Sequence, residues 1–335
     1  VDIESVSGNE RELADQVQAA LSGHDHLEVL RDGDTVIART NLGRPERVVI
    51  AGHLDTVPLA GNLPSRVEGD LIYGRGTCDM KGGVAVMMAV AVAATTPARE
   101  LTWIFYDHEE VESSANSLTR IAATRPELLA GDFAVLMEPT SAAVEGGCQG
   151  TLRFTVTTSG RAAHSARAWM GHNAIHDAAD VLARLRAHEA EQPEVDGLRY
   201  HEGLNAVAIS GGIAGNVIPD TCTISVNYRF APHRSVQQAM DYCRAVLPDH
   251  ELTFVDAAAG ARPGLDLPAA ADFVAAVGGQ PTAKFGWTDV ARFSALGIPA
   301  VNFGPGNPSK AHADDEFCPV VDLFTCRDAL VRWLG

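Results

Sequence analysis

The stretch VVIAGHLDTVP, from Val48 to Pro58, is typical of a short buried strand that ends in polar side chains. Four apolar residues lead into a glycine, and His53 and Asp55 then follow one residue apart. Alternate residues of an extended chain point to the same side, so the imidazole and the carboxylate face one direction. A lone pair of this kind is usually a solvated strand end, and the rest of the chain decides whether it is more.

Apolar runs and helical patterns alternate on the C-terminal side of this strand. ELTWIFYDH and DFAVLMEP are predicted strands, whereas MKGGVAVMMAVAVAA and SANSLTRIAATRPELL are predicted helices. The same pattern returns from about residue 264. Short apolar strands separated by helices are typical of an α/β fold with a mainly parallel sheet.

Between residues 150 and 262 the order of elements changes. Strand, helix, two strands, helix and strand follow one another, in TLRFTVTTSG, NAIHDAADVLARLRAHEAE, GLNAVAISGGI, DTCTISVNYRF, SVQQAMDYCRAVL and HELTFVDAA. This βαββαβ order is that of a ferredoxin-like unit. The sequence therefore predicts a discontinuous domain at 1–149 and 263–335, with a smaller domain inserted at 150–262.

Acidic and imidazole side chains follow four predicted strands of the larger domain. These side chains are His53, Asp55, Glu109, Glu110, Glu138 and His312. A further carboxylate, Asp79, lies in the glycine-rich stretch GRGTCDMKGG. In an open α/β sheet, ligands bind outside the carboxyl ends of the strands. We therefore expect these side chains to meet at one edge of the sheet.

The residue types are those of a metal site. Imidazole and carboxylate ligands suit zinc, and two histidines with three carboxylates suffice for two ions that share an aspartate. Asp55 is placed to accept the second imidazole N–H of His53. Of Glu109 and Glu110, only one readily faces the ligands, and the other is a candidate general base. GRGTCDMKGG lacks the spacing of a phosphate-binding loop, and we expect its glycines to allow close backbone packing.

Composition excludes several other classes of protein. The 335 residues are 46% hydrophobic and carry a net charge of −17, which argues against nucleic-acid and anionic-membrane partners. No apolar run approaches the roughly 20 residues that span a bilayer. The six cysteines are scattered without a CxxC pair, which predicts reduced thiols and a cytoplasmic protein.

Five features occur together in the chain: HLDTVP, GRGTCDMKGG, the Glu109–Glu110 pair, the Glu138–Pro139 pair and a histidine after GPG. In this combination the chain resembles the dinuclear zinc aminoacylase and carboxypeptidase family. The similarity covers nearly the whole chain, including the inserted domain. It implies a zinc-hydrolase catalytic domain, an inserted lid and dimerisation domain, and a homodimer. It also implies two Zn²⁺ ions per subunit, with Co²⁺ as a possible substitute.

The resemblance further implies a role for each matching residue. One zinc takes His53, Asp79 and Glu138, and the other takes Asp79, Glu110 and His312. Glu109 is the implied general base, Asp55 orients His53, and the Asp79–Met80 peptide bond is cis. In the inserted domain, His164 matches a histidine that reaches a neighbouring subunit's site and stabilises the oxyanion. Arg229 matches an arginine that binds a substrate carboxylate, and Asn216 and Thr288 match positions that line the substrate pocket.

A narrower resemblance, within this family, is to the desuccinylases that release succinate from N-succinyl-LL-2,6-diaminopimelate. The stretches GRAAHSARAWMGHNAIH, GNVIPDTCTISVNYRF and GWTDVARF support it. Two departures weaken the acyl-group assignment, since those enzymes commonly carry Arg-Arg-Gly and Gly-Thr-Ser-Asp where this chain has Cys148-Gln149-Gly150 and Gly286-Trp287-Thr288-Asp289. An acetylornithine deacetylase, an aminoacylase or a dipeptidase of the same family stays open, as does a non-catalytic zinc-binding protein.

Overall fold

The computed structural model describes residues 1–335, which form two compact units. The first unit comprises Val1–Gly147, Pro263–Ala283 and Thr288–Gly335, and the second comprises Cys148–Arg262 and Lys284–Trp287. These bounds differ from the predicted 1–149, 263–335 and 150–262 mainly in the short segment from Lys284. The assignment of the larger part to catalysis, and of the inserted part to a lid and dimerisation, remains a prediction.

Eight α-helices and nineteen strands follow one another along the chain. The helices are α1 (Arg11–Ser22), α2 (Lys81–Ala93), α3 (Ser117–Thr124), α4 (Ala174–Ala187), α5 (Val236–Val246), α6 (Pro268–Val277), α7 (Val290–Ala295) and α8 (Val320–Leu334). Short 3₁₀ turns lie at Pro126–Leu128, Ser165–Met170 and Pro308–Lys310. The strands are β1 (Glu28–Asp32), β2 (Thr35–Arg39), β3 (Arg47–His53), β4 (Arg66–Glu68), β5 (Leu71–Tyr73), β6 (Glu100–Tyr106), β7 (Phe133–Leu136), β8 (Glu145–Gly146), β9 (Gly150–Ser159), β10 (Ala163–His164), β11 (Glu194–Val195), β12 (Leu198–Arg199), β13 (Gly203–Gly211), β14 (Val217–Ile218), β15 (Thr221–Phe230), β16 (Leu252–Ala258), β17 (Thr282–Ala283), β18 (Ala300–Asn302) and β19 (Phe317–Pro319).

The first unit is built on an eight-stranded sheet in the order β1-β2-β6-β3-β7-β18-β8-β17. The four central strands, β6, β3, β7 and β18, are mutually parallel, which confirms the predicted α/β fold. Residues Val48 to His53 of β3 are all buried, so this strand is covered on both faces. Residues of α1, α2, α6 and α8 form the core on one face of the sheet.

An antiparallel hairpin at one edge of the sheet lies outside the predicted elements. β1 pairs with β2 across Gly33 and Asp34, with Asp32 opposite Thr35, and β2 pairs antiparallel with β6. Gly33 has a positive φ of 61°, which a tight turn between two strands requires. The two residues between the strands, Gly33 and Asp34, are a Gly-Asp pair, which is a hairpin signal in the sequence.

The second unit has the predicted ferredoxin-like order of elements. β9, α4, β13, β15, α5 and β16 follow one another, and the strands form an antiparallel sheet in the order β13-β15-β9-β16. Alternate residues of β9 and β15 are buried and pack against α4 and α5. The opposite face of the sheet carries no helix of this unit, because both helices pack on the apolar face.

None of the helices combines the length and the apolar character that crossing a bilayer requires. All six cysteines are buried and none forms a disulfide bond.

Candidate metal centre

Polar side chains gather where the central strands of the first unit end. His53 is the last residue of β3, Glu109 and Glu110 follow β6, Glu138 follows β7, and His312 lies beyond β18. Because these strands are parallel neighbours, their carboxyl ends meet at one edge of the sheet. The four parallel strands β6, β3, β7 and β18 therefore bring together residues that are far apart in the sequence.

Asp79, just before α2, lies between the two histidines. Its Oδ1 is 3.0 Å from His53 Nε2, and its Oδ2 is 3.5 Å from His312 Nε2. Two trios of potential ligands result, His53–Asp79–Glu138 and Asp79–Glu110–His312, and within each trio the ligand atoms lie within 4.8 Å of one another. Both trios contain Asp79, so its carboxylate is placed to bridge two ions.

The donor chemistry of these two trios fits a pair of divalent ions. Each trio combines imidazole nitrogen with carboxylate oxygen, which is a ligand set that zinc accepts. A third trio, His53–Glu109–Glu110, meets the same distance criterion and places Glu109 beside the ligands.

The carboxylates create a negative potential at this edge of the sheet. Burial would lower the pKa of His53, but hydrogen bonds and charges of Asp55 and Asp79 raise it well above its usual value. Hydrogen bonds with Asp79 and Glu110 raise the pKa of His312 to about 10. Both shifts have the same cause, since neighbouring carboxylates favour positive charge.

Glu109 has the environment of a proton carrier. Burial raises its pKa well above the usual value, and the charges of Asp289, Glu138 and Glu110 raise it further, against the opposing effect of His53. A carboxyl group with a raised pKa is suited to taking up and returning a proton near neutral pH. Burial also raises the pKa of Glu110, but a hydrogen bond with His312 opposes that rise, since Glu110 Oε1 is 3.0 Å from His312 Nε2.

Asp55 is bonded mainly to the loop that carries the two glutamates. Its Oδ1 accepts the backbone N–H of Glu109 at 3.0 Å, and its Oδ2 accepts that of Glu110 at 2.9 Å and the hydroxyl of Ser7 at 2.7 Å. His53 Nδ1 is 2.9 Å from the Asp55 backbone oxygen and 3.5 Å from its Oδ1. Burial would raise the pKa of Asp55, but His53 and the two backbone groups lower it to about 2. The carboxylate thus holds the glutamate loop as well as facing the histidine.

The peptide bond between Asp79 and Met80 is cis, as predicted. The following helix begins with Lys81, so the bond lies between the shared carboxylate and the first turn of α2.

His164 and Asn216 lie side by side in the second unit. β10 pairs with β14, which places His164 opposite Val217, and the Ser165 N–H donates to the Asn216 carbonyl oxygen at 2.9 Å. His164 Nδ1 accepts the N–H of Ala166 at 3.1 Å, so Nε2 carries the proton in the neutral ring. Both side chains are exposed, and their roles at a neighbouring subunit stay predictions.

Arg229 and Thr288 have contrasting surroundings. Arg229 is exposed near the end of β15, and its guanidinium group makes no ion pair or side-chain hydrogen bond in the structure. Thr288, in the first unit, is buried, and its hydroxyl donates to Asn302 Oδ1 at 2.7 Å. Their predicted contacts with substrate remain untested predictions.

Two buried carboxylates near the site escaped the sequence reasoning. Asp289 accepts the Tyr106 hydroxyl at 2.9 Å and the Asn116 amide at 3.0 Å, and its charge acts on Glu109. Glu316 accepts two backbone N–H groups of the Asp79 loop. Glu316 ends the acidic run 314–316, which reads as exposed, and only the run of apolar residues after it hints at burial.

The α/β fold and the paired ligand trios define a metal-dependent hydrolase. The chain belongs to the peptidase family M20/M25/M40, whose model matches residues 49–335.

Known proteins resemble the chain over its whole length. A succinyl-diaminopimelate desuccinylase of Corynebacterium glutamicum is 46% identical over 346 residues, which cover 100% of this chain and 94% of the relative. A Mycobacterium tuberculosis protein to which the same name is provisionally given is 51% identical over 338 residues, which cover 100% and 96%. Among solved structures, a dinuclear metal-binding M20 peptidase of Bacillus subtilis shares the fold, with a TM-score of 0.73, 18% identity and coverage of 99% and 93%.

Proposed function

We propose that the protein hydrolyses N-succinyl-LL-2,6-diaminopimelate to succinate and LL-2,6-diaminopimelate, in the biosynthesis of diaminopimelate and lysine. The observation that carries the hydrolase assignment is the position of Asp79 between His53 and His312, with Glu109 beside them. Whole-chain relatives at 46–51% identity support the desuccinylase activity.

We further propose that the site holds two zinc ions. His53, Asp79 and Glu138 would hold one ion, and Asp79, Glu110 and His312 the other. When bound, the ions would polarise the amide carbonyl and increase the acidity of the attacking water.

The residues of the chain account for the proton transfers. Glu109 accepts a proton as water adds to the amide carbon, and returns it to the leaving nitrogen as the C–N bond breaks. Asp55 keeps Glu109 and Glu110 in place through their backbone N–H groups. His164 Nε2–H, supplied by a second subunit, would donate to the oxygen on which negative charge develops.

The succinyl group ends in a carboxylate, which needs a cationic partner in a protein of net charge −17. Five arginines of the second unit have guanidinium groups without an internal ion pair or side-chain hydrogen bond, namely Arg161, Arg167, Arg186, Arg199 and Arg229. Arg161 and Arg167 line the same surface pocket as His164. These arginines supply the positive charge that a dicarboxylic acyl group requires.

A homodimer through the second unit is part of the proposal. β13 lies at an edge of its sheet and exposes Val207 (61%) and Ile209 (51%). Ile175 of α4 packs against Gly211 of this strand and is itself 40% exposed. An open strand edge bordered by apolar side chains is suited to pairing with the same edge of a second copy.

Deacylation of a neutral acyl group is the second candidate, and one observation favours it. Gln149 stands where the desuccinylases of the narrower resemblance commonly carry an arginine, and it is buried with its amide donating to the His201 carbonyl oxygen at 2.7 Å. Its neighbour Cys148 is also buried. Neither side chain is presented to a substrate carboxylate, so recognition of succinate would depend on other cations.

The release of primary amine from a substrate panel tests the assignment. The panel contains N-succinyl-LL-2,6-diaminopimelate, N-acetylornithine, other N-acetyl amino acids and dipeptides. We expect the highest kcat/KM for the succinylated substrate, loss of activity after chelation, and its return with Zn²⁺ or Co²⁺. A higher kcat/KM for an acetylated substrate would replace the desuccinylase assignment with a deacetylase, and activity that survives complete metal removal would exclude the metal mechanism.

A further inference from the structure

Glu316 is a buried carboxylate that holds the backbone on which the shared ligand Asp79 is mounted. It is 1% exposed, and its Oε1 accepts the N–H groups of Cys78 at 3.0 Å and of Asp79 at 3.1 Å. Its Oε2 accepts Nη1 of Arg75 at 2.8 Å. Two consecutive N–H groups bound by one oxygen restrict the orientation of the peptide plane between them.

Arg75 connects the same carboxylate to two further segments. This residue is 3% exposed, and it donates from Nη1 to the Ala313 carbonyl oxygen at 3.2 Å and from Nε to the Pro58 carbonyl oxygen at 3.2 Å. The Glu316 backbone oxygen in turn accepts the N–H of Gly74 at 3.1 Å. Glu316 and Arg75 therefore join the loop before α2 to the loop that carries His312.

The arrangement repeats that of Asp55 on the other side of the site. Asp55 lies two residues after His53 and binds two consecutive N–H groups of the Glu109–Glu110 loop. Glu316 lies four residues after His312 and binds two consecutive N–H groups of the Asp79 loop. Each histidine loop thus carries a buried carboxylate that holds the backbone of a carboxylate loop.

We propose that Glu316 is a positioning residue for metal binding. Through Cys78 and Asp79 it holds the Asp79 carboxylate so that its two oxygens face His53 and His312. Glu316 is not itself a ligand, because both of its oxygens are occupied by the backbone and by Arg75. This inference rests on the proposed metal-dependent function.

Metal titration of the Glu316→Gln variant tests the proposal. Glutamine keeps the size of the side chain but removes its charge, and one of its two terminal atoms becomes a donor that cannot accept from Arg75 or the backbone. We expect a 10- to 100-fold weaker affinity for Co²⁺, measured from its absorption spectrum in the metal-free protein, which is the usual effect of losing a residue that supports a ligand. The kcat of Glu316→Gln should be closer to the wild-type value at saturating metal than at limiting metal.

Glu100 offers a matched control in the same unit. It is 5% exposed, accepts the backbone N–H groups of Leu42 and Arg44 and the hydroxyl of Thr40, and begins β6 at the end of the strand away from Glu109. Glu100→Gln should lower Tm as much as Glu316→Gln does, and leave the Co²⁺ affinity unchanged.

The outcomes separate the alternatives. Wild-type Co²⁺ affinity in Glu316→Gln, or equal losses of affinity in both variants, would overturn the positioning role. If Glu316→Gln does not fold, the Co²⁺ affinity of Glu316→Asp is measured instead and judged in the same way. This variant keeps the negative charge, but its side chain is one methylene group shorter. Failure to cleave any N-acyl substrate would refute the proposed function and leave the metal-affinity comparison intact.

Discussion

Glu109 and Glu110 are chemically identical neighbours whose surroundings suit them to different tasks. Glu110 is 3.0 Å from His312 Nε2 and belongs to a ligand trio with Asp79. Burial raises the pKa of both glutamates, but the pKa of Glu109 rises well above its usual value, whereas the hydrogen bond with His312 opposes the rise for Glu110. A ligand has to stay ionised, whereas a general base has to exchange a proton, so the two environments support the proposed division of roles.

Replacing Glu109 with glutamine is expected to lower kcat strongly and preserve metal binding. Glutamine has nearly the same shape but cannot accept a proton at neutral pH. We expect kcat to fall by roughly 10²–10⁴, the usual contribution of a general base. The measurement is kcat together with metal content by elemental analysis, and Glu110→Gln serves as the comparison that should lose metal. Loss of metal from Glu109→Gln alone would show that the two roles are interchanged.

At the scale of elements, helix α2 approaches the end of β7 closely enough to exclude side chains. A Cβ atom on Gly83 would lie 2.4 Å from the Met137 carbonyl oxygen, and one on Gly82 would lie 2.5 Å from that of Thr77. Met137 directly precedes the ligand candidate Glu138. The glycines at the start of α2 therefore set the distance between the segments that carry Asp79 and Glu138.

Gly83→Ala is expected to disturb both the fold and the metal site. The added methyl group has to displace backbone at Met137, and overpacking of this kind costs about 1–3 kcal/mol of unfolding free energy. We expect a lower Tm and weaker Zn²⁺ affinity, measured by thermal unfolding with and without the metal. Gly23→Ala is the matched control, because Gly23 has a negative φ of −83° and open space around its Cα. Equal Tm values for the two variants would contradict the packing argument.

At the scale of the whole molecule, the proposed site requires residues from two chains. Glu109 belongs to the first unit, whereas His164 lies on the exposed β10 strand of the second unit. The exposed β13 edge offers the surface through which two copies would pair. In such a dimer, one subunit's His164 would complete its partner's site.

Mixing two inactive variants tests the shared site. Random exchange of Glu109→Ala and His164→Ala subunits gives about half mixed dimers, each with one intact site out of two. About a quarter of wild-type activity should therefore return, whereas each variant treated alone should stay inactive. Background activity in the mixture, despite exchange verified by differential labelling, would place His164 in its own chain's site. A fully active monomer would exclude the arrangement altogether.

The sequence by itself was sufficient for the fold class and for which residues meet at the sheet edge. Buried parallel strands have a strong apolar pattern, and their carboxyl ends share one edge, so His53, Glu110 and Glu138 could be brought together without coordinates. The inserted βαββαβ order could also be predicted, because its two central strands, β9 and β15, alternate between buried and less buried residues.

Only the tertiary structure decided which groups hold the ligands in place. Asp55 binds the backbone of the glutamate loop, and Glu316 binds the backbone of the Asp79 loop from the far end of the chain. Hydrogen bonds to backbone N–H groups leave no trace in residue type, since every residue except proline offers the same donor. A polar residue that is buried to satisfy them looks in sequence like an ordinary surface acid, and only the packing of distant loops reveals its partner.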